Sequence, residues 1–370
     1  MGEVFVVGAS IASGQATVST VGLAREAAAA ALADAGVVAA AVPSVFVSSG
    51  SPGPEPSVET VLLRLGLRAL GFRPPRNAEE ASSARSEHVS PSAVEALHYA
   101  FRAVELGIED LVLCVGTEQG NAPARPWESW PPQTVLQSRA REARRYLLKC
   151  GATPEQYARV VTKNRIHGAC RGITRELEIE DVLDADVIDW PLTRPMVATY
   201  GSGGAALVLA SARAARRISG KPARIRASVL VAAEQGEPQP AVRAARTAYR
   251  NAGLDPEDLD CAELHDCTAA AELTAYEELG IAPEGFAGEL VESGYTAADG
   301  VLPVNLSGGL LSLGERPATC AIAQLAELTR QLRGDARAGQ VPGARAALAH
   351  CAGRPIETAP AVVGISLLTI

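Results

Sequence analysis

Short apolar runs alternate along this chain with stretches whose apolar positions recur every three or four residues. Val4–Val7, Val45–Val47, Leu111–Val115 and Ala205–Leu209 are β-rich runs bounded by Gly, Ser or Glu, and each predicts a strand. Leu23–Ala35 and Ser92–Leu106 carry the helical period between them. A β-α-β-α-β order with short connections predicts an α/β protein with a mostly parallel sheet covered by helices. After residue 220 the order returns: strand Ile225–Val231, helix Ala241–Ala252, strand Cys261–Leu264, helix Thr268–Leu279, a glycine-rich turn, helix Thr319–Leu332, and strands Ala346–His350 and Ala361–Thr369. AREAAAAALADAGV (24–37) also lines up with AVRAARTAYRNAGL (241–254), small residues on one stripe and Ala-Gly at the end. The spacing is far too long for a solenoid period, so it predicts a duplicated unit. The expected boundaries are 1–220 for the first half, with an inserted cap at about 120–200, and 221–370 for the second.

A length of 370 residues agrees with two such units at ~100–200 residues each. Hydrophobic residues make up 47% and charged ones 21%, enough to fill a core. The net charge of −8 argues against nucleic acid or an anionic membrane as partner, since both select basic surfaces. No apolar run reaches the ~18–20 residues of a membrane span. The N-terminus, MGEVFVVGASIASG, lacks the basic n-region of a signal peptide and reads as a buried strand. Seven scattered cysteines form no C-x-x-C pair, which disfavours metal and disulfide frameworks and fits a reducing cytoplasm.

The insertion is rich in Trp, Pro and Arg (Trp127, Trp130, Pro131, Pro132, Trp190) and holds a polar helix pattern, Gln137–Leu148. Its tryptophans read either as hydrophobic anchors or as a ligand wall. Arg139, Arg141, Arg144 and Arg145 on that helix make a basic face, either solvated or suited to phosphates. Tyr200-Gly-Ser-Gly-Gly204 lacks the Lys-Ser/Thr of a phosphate loop and reads as packing.

Two segments carry chemistry. Pro303-Val-Asn305-Leu-Ser-Gly308-Gly309-Leu-Leu-Ser-Leu-Gly314 is a glycine turn that allows close backbone approach. In Glu263-Leu-His265-Asp266-Cys267-Thr268 a strand ends and a helix begins. A histidine at the carboxyl end of a strand sits where α/β proteins keep their sites, and Asp266 is positioned to cap the following helix.

With these segments in view the chain resembles the thiolase superfamily, and most closely its sterol-carrier-protein type. The resemblance runs through TPEQYARVVTKN (153–164), the His265-Asp266-Cys267 strand end, NLSGGLLSLG (305–314), AQLAELTRQLRG (323–334) and QVPGARAALAHCAG (340–353). It implies two similar βαβαβαββ halves in α-β-α-β-α layers, a homodimer, and acyl transfer or Claisen-type chemistry on CoA thioesters. It implies no bound cofactor or metal, with CoA or an acyl carrier protein supplying the thioester; the arginine face of the insertion would then meet the phosphates of either.

Carried over residue by residue, the family's catalytic positions are altered. Aligned through Ala96-Leu97-His98, the nucleophilic cysteine that opens the first central helix falls on Ser90, with His88 nearby. The histidine of the family's Gly-His-Pro falls on Glu315, in Gly314-Glu315-Arg316-Pro317. His265 matches the HDC histidine, and Cys351 falls where other thiolases keep an acid/base cysteine, although Arg354 interrupts the glycines that usually follow.

A thiol is partly ionised at neutral pH, whereas a serine needs a general base within ~2.6–3.2 Å. Ser90 reads either as an acylated nucleophile served by His265, Glu315 or His88, or as a small polar residue lining the pocket. Glu315 reads either as a base beside His265 or as a helix-start charge partnered by Arg316. Cys320 and Cys351 read as buried structural residues more readily than as catalytic ones. The expected catalytic set is Ser90, His265 and Glu315, with His88, Asn305, Gly308, Gly309 and Cys351 at the substrate and the 305–309 backbone polarising a carbonyl. Two other classes stay open. One is a retro-aldol lyase on CoA thioesters with a small OB-fold partner and a tyrosine base such as Tyr295. The other is a non-catalytic subunit of a thiolase or ketosynthase complex.

Overall fold

The computed structural model describes residues 2–13, 19–49, 87–90, 92–118, 131–218, 220–234, 239–352, 355–356, 359–360 and 362–370. Trp127, Trp130 and Arg354 fall outside them.

The first half contributes β1 (Val4–Ser13), α1 (Thr20–Ala35), β2 (Ser44–Ser49), β3 (Glu87–Ser90), α2 (Ala93–Glu105) and β4 (Leu111–Glu118). Two helices of the insertion follow, α3 (Gln133–Cys150) and α4 (Pro154–Ala169), and then β5 (Gly203–Ser211). The second half contributes β6 (Ala223–Ala232), α5 (Pro240–Ala252), β7 (Cys261–Glu263), α6 (Ala269–Glu278), α7 (Gly309–Leu313), α8 (Cys320–Arg333), β8 (Ala346–Ala352) and β9 (Val362–Thr369). No described helix is long and apolar enough to cross a membrane.

Local sequence accounts for these elements. The Ser19 hydroxyl accepts from Gly22 N at the start of α1, and Gly36, at φ 64°, ends the helix left-handed. Ala24, Ala27, Ala28, Ala31 and Ala35 form its buried stripe. The stripe is small because the helix lies directly on β1, where a Cβ at Gly8 would stand 2.1 Å from Ala31 O. Along β6 burial alternates, with Ala223, Ile225, Ala227 and Val229 turned inward, the period of two a strand imposes.

The strands form one sheet in the order β3-β2-β4-β5-β1-β6-β9-β8-β7. Pairs β3/β2, β2/β4 and β8/β7 are parallel, whereas β4/β5, β5/β1, β1/β6, β6/β9 and β9/β8 are antiparallel. The sheet is therefore mixed, not mostly parallel. β5 returns through the insertion and β9 through a short connection from β8, so neither has the crossover helix that makes neighbours parallel. Among the described residues, the two groups of strands meet at β1/β6, where Val4, Phe5 and Val6 face Ile225, Arg224 and Ala223.

Helices fill three layers around this sheet. α1 packs on β1, β4 and β5, and α5 packs on β6 and β9. Between the two groups lie α2 and α8, in contact with each other and with strands of both. This is the α-β-α-β-α stacking, a thiolase-like α/β fold. α2 and α8 start side by side, the amide of Ala93 donating to Pro317 O at 3.1 Å. The first turns of both central helices therefore share one location.

Candidate active site

Four buried side chains converge where the second half's strands end. His265 lies two residues past the end of β7, Cys351 lies near the end of β8, Cys320 is the first residue of α8, and Glu315 lies in the turn before it. The Cys320 and Cys351 sulfurs are 2.9 Å apart. Cys351 Sγ is 3.7 Å from His265 Nδ1, and His265 Nε2 is 4.0 Å from a Glu315 carboxylate oxygen. A small cavity lined by Val94, Leu97, Gln324, Leu325 and Gly364 reaches Cys351 from between the central helices.

The protonation of the cluster follows from these contacts. The hydrogen bond from Cys351, against the cost of burial and with His265 assisting, pushes the Cys320 thiol down to about 6. That same bond and burial hold the Cys351 thiol well above its usual range. Burial opposes a charge on His265, but its hydrogen bonds with Cys267 and Cys320 outweigh it and raise the imidazole well above 6.5. The N-terminus of α8 adds ~0.3–2 kcal/mol in favour of an anion there. These contacts favour the anion on Cys320, the protonated thiol on Cys351 and the cation on His265. Protons can pass among all three.

Glu315 is fixed from two sides. Its backbone pairs with the 199–201 segment, its N–H donating to Thr199 O at 2.6 Å and its carbonyl accepting from Gly201 N at 3.0 Å. Its carboxylate accepts from Arg139 at 2.6 Å, and both side chains are buried. The expected partner Arg316 is not the one the fold supplies. Arg139 correspondingly leaves the expected basic face: it points inward, Arg144 pairs with Asp189, and Arg141 and Arg145 are exposed.

The Cys320, Cys351 and His265 donor atoms lie within 4.8 Å of one another. That is a zinc-type donor set, but sulfurs bound ~2.3 Å from a tetrahedral ion stand ~3.8 Å apart. The pair is too close to share an ion as placed.

The glycine loop is held by an internal network of hydrogen bonds. Asn305 sits at φ 56°, its side-chain oxygen accepting from Leu264 N at 2.7 Å and its amide donating to Glu272 at 2.7 Å. The amides of Asn305, Ser307, Gly308, Gly309, Leu310 and Leu311 all have protein acceptors: Ala262 O, Glu263, Asn305 O, Ser307 Oγ and, for the last two, Asp266. These bonds tie the loop to the strand end that carries His265. Asp266 likewise caps α7, whereas Thr268 caps α6 by accepting from Ala271 N.

Sequence reasoning missed the network beneath that loop. Lys163 Nζ donates to Asn164 Oδ1 (2.7 Å) and Val304 O (2.9 Å) and pairs with Glu272 (2.9 Å). Asn164 donates to Asp266 (2.8 Å) and Glu272 (2.7 Å), and the Tyr276 hydroxyl donates to Glu272. Polar Lys163 and Asn164 stand among the buried residues Tyr157, Val160 and Val161 of α4, and that break in an apolar face was the available signal.

In the first half, Ser90 ends β3 opposite Ser48, and His88 lies opposite Phe46. Ser90 does not open the helix: α2 begins at Ala93, capped by Ser92, whose hydroxyl accepts from Val94 N at 3.3 Å. The side chains of Ser90 and His88 are not among those described. Tyr295 is half-buried and packs in the core shared with α3, α4 and α6.

Residues 225–364 match a family model described as thiolase C-terminal domain-like. The chain is 30% identical to an acetyl-CoA acetyltransferase of Methanothermobacter thermautotrophicus over 342 residues, 86% of this chain and 88% of that protein. It is 34% identical to sterol carrier protein 2 of Bos taurus, over 60% of this chain and 44% of that protein. Among solved structures, the Ltp2-ChsH2(DUF35) aldolase superposes with a TM-score of 0.80 over 99% of this chain and 97% of its own, at 24% identity. That last likeness is one of fold.

Proposed function

The chain belongs to the thiolase superfamily, and on that premise we propose that it acts on acyl thioesters of coenzyme A or an acyl carrier protein, by acyl transfer or Claisen-type making and breaking of carbon–carbon bonds. The observation that carries this reading is the buried His265, 3.7 Å from the Cys351 thiol and 4.0 Å from the Glu315 carboxylate. Carbon–carbon chemistry beside a thioester needs a proton removed from, or returned to, the carbon next to the carbonyl. His265 and Cys351 exchange that proton. Glu315, held by Arg139, balances the charge on the imidazole.

The test is direct. Purified protein is incubated with saturated and 3-oxoacyl-CoAs, with and without free CoA, and the products are read by mass spectrometry. Turnover is expected, and His265→Ala is expected to lower it by ~10²–10⁴-fold. Unchanged turnover in His265→Ala would overturn the assignment.

A second reading is favoured by Ser90 at the position where the family keeps a cysteine. Here the chain is a retro-aldol lyase on CoA thioesters with a small OB-fold partner. The aldolase of similar fold, whose name includes a DUF35 component, is in keeping with it. Turnover only after addition of such a partner, with a β-hydroxyacyl-CoA cleaved to a carbonyl product, distinguishes the two.

A further inference from the structure

We propose that Cys320 is the acyl-accepting nucleophile of this chain, standing at the start of the second central helix in place of a cysteine at the start of the first. The proposal rests on the acyl-thioester reading and identifies which atom of that site carries the acyl group.

Four observations carry it. The two helix starts are in contact through Ala93 N and Pro317 O, so exchanging one for the other keeps the nucleophile in the same site. The start of α2 is already engaged, its N-cap filled by the Ser92 hydroxyl and its first amide bonded to Pro317 O. At the start of α8 the Cys320 amide bonds to Arg316 O and the Ala318 amide to the Glu118 carboxylate, but no side chain caps the helix. Thr319 makes no side-chain cap, and among the described residues its fully buried hydroxyl has no partner, nor does the Nε of Arg316. The uncapped head of this 14-residue helix favours negative charge on the sulfur of its first residue. Finally, the Cys320 sulfur lies 2.9 Å from a second thiol, whose own sulfur is 3.7 Å from the imidazole. Both are free cysteines, so two thiol groups are present to divide the work.

The step balances without any further reagent. The Cys320 thiolate attacks the thioester carbonyl carbon, forming a new carbon–sulfur bond. The bond to the CoA sulfur breaks, and CoA leaves as a thiolate. It is neutralised by the proton that Cys320 had given up to His265. The products are an acyl-Cys320 thioester and free CoA. Cys351 and His265 then serve the second half-reaction, taking a proton from the incoming nucleophile. A thioester on cysteine keeps the reactivity that an ester on Ser90 would lose.

The first experiment needs no knowledge of the substrate. Reduced protein is treated with iodoacetamide between pH 4.5 and 10, and labelled peptides are quantified. Labelling of Cys320 should show a midpoint near pH 6, against ~8.5 for an ordinary thiol. A midpoint near 9 would overturn the proposal. The second experiment incubates the protein with short and medium acyl-CoAs, followed by acid quench and peptide mapping. An acyl mark on Cys320 is expected, lost in Cys320→Ser and retained in Cys351→Ser, with circular dichroism confirming that both variants fold. Turnover should fall by at least ~10³-fold in Cys320→Ser. Turnover with the mark on Ser90, or with no mark, overturns this assignment and leaves the acyl-thioester reading intact. No turnover and no mark with any thioester, alone or with a partner, overturns both.

Discussion

Replacing Arg139 by Met gives a sharp test of how the site is held. The guanidinium and the Glu315 carboxylate lie 2.6 Å apart, both almost wholly buried. At an effective dielectric constant of ~20 their attraction is about 6 kcal/mol, and the desolvation of two ions offsets most of it. The pair therefore adds little net stability, but each member depends on the other. In Arg139→Met the buried carboxylate keeps only His265, 4.0 Å away, as counter-charge, and the loss approaches that of a broken buried pair, about 3–5 kcal/mol. At ~2–4 °C per kcal/mol for chains of 150–250 residues, and somewhat less here, the melting temperature should fall by roughly 5–10 °C in differential scanning calorimetry. Removing both charges in Arg139→Met/Glu315→Gln should restore stability to within ~1 kcal/mol of the parent while leaving His265 without its carboxylate, so stability returns and turnover does not. If Arg139→Met melts with the parent protein, or the double variant is no better than the single, the pair does not hold Glu315 and the reasoning fails.

Two further outcomes follow from the same structure. Gly309→Ala puts a Cβ at φ 62° and 2.1 Å from an Asp266 oxygen, displacing the carboxylate that accepts from Leu310 N, Leu311 N and Asn164. The left-handed backbone costs ~1 kcal/mol and each broken buried bond ~1–3 kcal/mol, so thermal unfolding should show a loss of about 3 kcal/mol or more. A neutral effect would mean the loop is free to shift. His167 is pulled down to about 4, chiefly by burial and then by Lys163. The unfolded histidine binds its proton first on acidification, so stability is complete above pH ~6.5 and is lost progressively as pH falls towards 4. His167→Gln should make urea-unfolding free energies less steep in pH by about one proton over that window; an unchanged slope would show that His167 is protonated in the native state.

Much of the fold was legible in the sequence because its elements carry their own signals. The buried alanine stripe of α1 and the alternation of β6 match the observed helix and strand with boundaries shifted by one to three residues, the usual fraying of element ends. Strand direction was not legible. It depends on how β5 and β9 return, and connection length alone could not separate the insertion from a crossover. In the site, His265 and Glu315 could be named from sequence, because each belongs to a short motif. Arg139 could not be matched to Glu315, nor Cys320 to Cys351. These contacts span 176 and 31 residues, the first between the insertion and the second half and the second between α8 and β8, and exist only once the chain is folded. A cysteine one helical residue past a turn looks, in one dimension, like any small buried residue.

The Lys163–Asn164 network has a consequence for recombination between relatives. The loop behind His265 takes its shape from its own residues and from α4, about 140 positions earlier, which reaches Val304 O, Glu272 and Asp266. A chimera joined between the halves, with 1–220 from one parent and 221–370 from another, would separate the two sides of this network. The module that can be exchanged without loss is α4 together with residues 261–314. A single crossover that preserves it lies before the insertion, not after it and not at the seam of the sheet.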